Sequence, residues 1–78
     1  MDKASPAGWV VQITTPGHAG APPAFRYFNV AIADAKMAVE ATVEHVTPER
    51  EAHVSPVRPL SAQEIGVLRL KAGAVKPA

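Results

Sequence analysis

The side chains in this 78-residue chain that could carry chemistry are few and scattered. His18 stands in the Gly- and Pro-rich stretch "PGHAGAPPA", where an imidazole could act as acid, base or ligand. It has no partner close in sequence, and the ordinary state of such a histidine is solvated. His45 and His53 flank "VTPERE"; two imidazoles with Glu44 or Glu49 would begin a metal site, short of the four ligands that zinc prefers. Their more ordinary roles are a helix C-terminal residue facing the dipole for His45 and a surface position on an edge strand for His53. Trp9 and Tyr27 with Arg26 offer a stacking platform for a base or a flat ligand, as single-strand binders use. The competing role for Trp9 is that of the largest core residue. The binding candidates are therefore Trp9, His18, Arg26, Tyr27, His53 and Arg58.

Other chemistry is missing from the pattern. Ser5, Ser55 and Ser61 lack the context of a nucleophile elbow, and "PGHAGAPP" lacks the Lys and following helix of a phosphate-binding loop. The chain has no cysteine, which removes disulfides, thiolate nucleophiles and the strong zinc motifs together. No cofactor is implied. A formal net charge of +1 does not suit a nucleic-acid partner, which usually calls for a clearly basic face. The charges are unevenly spread, however: acidic residues dominate positions 34–51 and basic ones the last third. No apolar run reaches the roughly 18 residues of a membrane span, and "MDKASPAGW" has no hydrophobic signal segment. A cytoplasmic location without membrane contact is the resulting expectation.

The elements that would position these residues must come from a small core. A chain of this length makes one domain and buries only about 60% of its unfolded surface. Leu, Ile, Val and Phe make about 23% of it, just above the roughly 20% below which disorder prevails. Self-association would supplement such a core.

"GWVVQITT" alternates Trp9, Val11 and Ile13 with Val10, Gln12 and Thr14, the period of a half-buried strand. The prolines of the following stretch exclude helix and ladder alike, and Pro16-Gly17 suits the centre of a type II turn. "FRYFNVAIA" gives a second strand, with Phe28, Val30 and Ile32 on one face and Tyr27, Asn29 and Ala31 on the other. Asp34 caps a helix whose apolar face is Ala35, Ala38, Val39, Thr42, Val43 and Val46, opposite Lys36, Glu40 and Glu44. A single long helix from Asn29 ranks second, because Val30 and Ile32 are β-branched at period 2. Pro48 ends the helix.

"AHVSPVRP" is an edge strand or merely extended, since Pro56 cannot donate to a ladder. Ser61 and Glu64 then form a capping box with Leu60 stapled onto Ile65, opening a short helix that docks Ile65, Leu68 and Leu70. Gly66 weakens that helix by roughly 1 kcal/mol, and Gly73 ends or turns the chain after it. The expected architecture is α+β, a small β-β-α-β-α unit. It has a mostly antiparallel three-stranded sheet covered on one face by one helix, a short C-terminal helix, and frayed ends at 1–7 and 74–78.

The function class that fits best is a non-catalytic interaction module. It would self-associate as a homodimer or bind another protein, through a sheet edge at 53–58 or the sheet face opposite the helix. A small-ligand or nucleic-acid binder using Trp9, Tyr27, Arg26 and the His18 loop is the alternative. An enzyme is disfavoured, because about 80 residues rarely enclose a water-excluding pocket of several hundred Å³.

Overall fold

The computed structural model describes residues 6–78, so Ser5 and the expected fraying of residues 1–5 lie outside the described residues. The chain runs β1 (Gly8–Thr15), β2 (Ala24–Val30), α1 (Ala35–Val46), β3 (His53–Leu60), α2 (Ala62–Leu68) and β4 (Val75–Pro77). The fold is α+β, with an antiparallel sheet and two helices. The sheet has four strands in the order β3-β1-β2-β4, one more than the sequence pattern predicts. The added strand is the tail expected to fray: Val75, Lys76 and Pro77 pair with Val30, Asn29 and Phe28. The Ala31 N–H donates to Ala74 O and the Ala78 N–H to Tyr27 O, extending the ladder at both ends. β2 would otherwise present an open edge, and a tail that satisfies its backbone gains more than its own sequence advertises. At the other terminus Ala7 already donates to Leu60 O.

β1 is the central strand, pairing with β2 through Trp9↔Val30, Val11↔Phe28 and Ile13↔Arg26. Cross-strand partners share a face, so Trp9, Val11, Ile13, Phe28 and Val30 point to one side. There α1 contacts all four strands, closing a core of Val11, Ile13, Phe28, Val30 and Ala38. Asp34 caps α1, its carboxylate accepting the Met37 N–H at 3.0 Å. Thr47 ends it at φ 55°, donating its N–H to Val43 O. The helix buries Ala38 and Thr42 most deeply. Val43, expected on the buried face, is 40% exposed, because a short helix across a narrow sheet covers less than its whole apolar arc.

The opposite side carries a second, smaller core. Val10, Ala31, Leu60 and Leu70 are buried there, with Ile65 of α2 packed on them. The capping box forms as the sequence predicts: the Glu64 N–H donates to Ser61 Oγ and the Ser61 N–H to Glu64 Oε1. Leu68, expected to dock beside Ile65, is instead 42% exposed. The 16–23 loop also differs from expectation. Its turn lies at His18–Ala21, where Ala21 N–H donates to His18 O with Ala19 and Gly20 both at positive φ. That is the primed arrangement hairpins favour, whereas Gly17 lies outside the positive-φ region a type II turn needs.

Candidate functional site

Strand alternation decides which candidate residues meet. Trp9 lies on the α1 side, half-buried, and its indole N–H donates to Ala33 O at 2.8 Å. It therefore ties β1 to the β2–α1 connection. Arg26 is also on that side, with its guanidinium carbon 5.1 Å from the Phe28 ring centroid. Tyr27 is one residue further along β2 and points the other way, its hydroxyl accepting from Gln12 Nε2 at 3.4 Å. Trp9 and Tyr27 thus stand on opposite faces and form no common platform. His18 is exposed in the loop, and His53 is exposed at the start of β3 opposite Thr14. His45 sits in the last turn of α1. Among the described residues no three His, Asp or Glu side chains converge as a metal site, and no helix is long and apolar enough to cross a membrane.

What the fold does bring together is a concavity on the side away from α1. Its floor is Val10 of β1, Tyr27 and Asn29 of β2 and Arg58 of β3; its wall is Gln63, Glu64, Val67 and Leu68 of α2, with Ala78 beside them. The open space is about 700 Å³. α2 makes the wall because its cap directs it back over one end of the sheet, where Ile65 docks. Val67 is 76% exposed, Tyr27 46% and Phe25, on the same face of β2, 53%. Three large apolar side chains left to solvent on one side of so small a chain are a patch rather than scatter.

The polar members are partly spent on structure. Arg58 Nη1 lies 3.2 Å from Glu64 Oε2, clamping α2 onto β3. The Ser61 backbone N–H, with Arg58 adding hydrogen-bonding and coulombic help, holds the Glu64 carboxyl below the usual glutamate range. An exposed pair of this kind is worth only about 0–1 kcal/mol, but it fixes the rim of the concavity. Lys76, paired with Asn29, projects to the same face.

Of the six candidates, the concavity takes in Tyr27 and Arg58; Trp9, His18, Arg26 and His53 do not line it. The residues that sequence reasoning missed are Asn29, Gln63, Val67 and Leu68. One signal was present: Ile65, Val67, Leu68 and Leu70 are too many apolar residues for one face of a two-turn helix, so some had to remain outside. Comparison with family models, curated proteins and solved structures finds no match to this chain.

Proposed function

We propose that the chain is a non-catalytic interaction module that binds a protein partner through the open face of its sheet. The observation that carries this is the apolar patch of Tyr27, Val67 and Leu68 around the concavity, left bare while α1 covers the opposite face. The sheet edges suit a partner less well. β3 carries Pro56 and Pro59 and a bulge, and β4 is three residues long and includes Pro77. Prolines and bulges are the usual means of discouraging strand addition. A reaction is not favoured by the groups around the concavity, where Arg58 and Glu64 occupy one another and no nucleophile stands beside a base.

The test is differential capture from a cell extract with three immobilised baits: the parent chain, Tyr27→Asp/Val67→Asp, and Ala21→Asp in the distant exposed loop. A partner retained by the parent and by Ala21→Asp, and lost from the double variant, is the expected result. Identical capture by all three would overturn the assignment of this face.

A further inference from the structure

The charge asymmetry of the sequence becomes a polarity of the folded chain. Residues 34–51 carry five carboxylates against two cations, and residues 58–76 carry four cations against one carboxylate. The first group is α1 and its flanks, on one side of the sheet. In the second, Arg58 and Lys76 project from the opposite face by their pairing with Val10 and Asn29. Arg69 and Lys71 follow α2, which packs on that same face.

Each side also exposes apolar groups. On the outer surface of α1, Met37 is 57% and Val43 40% exposed, on a stripe with Glu40 and Glu44 at helical spacing. On the other side, Tyr27, Val67 and Leu68 are exposed within the basic rim. One surface is an acidic helix with an apolar stripe; the other is an apolar concavity edged by cations.

We infer that the partner of the open face is the outer surface of α1 on a second copy of this chain, so that copies stack head to tail. This rests on the reading of the open face as the interaction surface. A helix laid into an apolar groove is a common recognition mode, and here Glu40 and Glu44 would meet Arg58, Arg69, Lys71 and Lys76. A two-fold pair cannot make this contact twice, because the two surfaces lie on opposite sides of one sheet. Pairing open face with open face would set the cationic rims against each other, and like charges across an interface oppose association. The unlike surfaces meet only in a heterologous contact, which extends beyond two copies unless its rotation closes a ring.

Sedimentation equilibrium of the chain tests this over a wide concentration range at low and high salt. The mass should rise past that of two chains, and rise less at high salt as the ionic contacts are screened. Glu40→Lys/Glu44→Lys makes both surfaces basic, and Lys71→Glu/Lys76→Glu shifts the open face toward acidic. Each variant alone should associate at least about tenfold more weakly than the parent, and an equimolar mixture should recover most of that loss, since each supplies the surface the other needs. A monomer at every concentration, a plateau at two chains, or indifference to Glu40→Lys/Glu44→Lys would each overturn the head-to-tail contact. The capture experiment judges the open face independently, so the two failures are distinguishable.

Discussion

Replacing Gly8 by alanine inserts one methyl group where the structure has no room for it. A Cβ built at Gly8 lies 2.2 Å from Val30 O, 2.9 Å from Ile65 Cδ1 and 3.2 Å from Ala31 Cα. The contact with Ile65 can be eased by a rotamer, but Val30 O is backbone, and ordinary carbon–oxygen contacts lie near 3.3 Å or beyond. The end of β1 must therefore move about 1 Å from β2, lifting α2 where Ile65 docks. Overpacking of this kind costs about 1–3 kcal/mol, and partial exposure of Ile65 adds a fraction of the roughly 1.5–3 kcal/mol its burial is worth. A total near 3 kcal/mol is a large share of the roughly 4–12 kcal/mol a domain of this size possesses. It lowers Tm by about 12–24 °C at roughly 4–8 °C per kcal/mol.

The assay is urea unfolding followed by far-ultraviolet circular dichroism and Trp9 fluorescence, with amide exchange reporting on residues 62–70. Gly66→Ala is the matched comparison. Nothing lies within 4 Å of its added Cβ, and the substitution should stabilise by about 0.5–1 kcal/mol through helix propensity. The same chemical change is thus expected to have opposite signs at two glycines. A Gly8→Ala chain that unfolds with the stability of the parent would refute the packing of α2 against the first residue of β1.

Ser61→Ala should cost about 0.5–2 kcal/mol by removing the cap, with amide exchange accelerating in α2 before the sheet. Trp9→Phe should cost about 1 kcal/mol or somewhat more, through loss of the bond to Ala33 O and some ring area; circular dichroism melts of the two chains measure it. Glu64 sets an acid limb. Its carboxyl is lowered in the folded chain by the Ser61 N–H first and by Arg58, so the unfolded chain binds the proton more readily. The stabilisation is complete above the ordinary glutamate value of roughly 4.3 and is lost as pH falls through Glu64's own lower value. Melting curves against pH should lose this component in Glu64→Gln.

The parts of the fold that were legible are those decided within a few residues. The bounds of β1, the Asp34 cap, the stop before Pro48 and the Ser61–Glu64 box all rest on local hydrogen bonds or local alternation, and each stands where the sequence places it. β4 was illegible because three residues including a proline have no periodicity; its stability comes from a vacant edge of β2. The turn moved from Pro16-Gly17 to His18–Ala21 because the loop as a whole must return Ala24 opposite Thr15. The concavity was illegible for a related reason, since Tyr27 and Val67 are 40 positions apart in the sequence and share a wall only once α2 folds back.

By itself the sequence determined the element types, the helix caps, and the sorting of acidic residues ahead of basic ones. Which side of the sheet each residue serves was decided by tertiary structure, and β3 shows how. Val54 pairs with Ile13 on the α1 side, and Leu60, six residues on, would share that side in a regular strand. Val10 pairs with Arg58 and Val11 with Pro56, leaving Val57 as an extra residue in the ladder. That bulge shifts the alternation by one, so Leu60 turns into the second core beneath α2 while Val54 stays in the first. A side-chain period of two makes a one-residue offset enough to change the face. The offset exists only when β3 is laid against β1, where both cores must be filled at once.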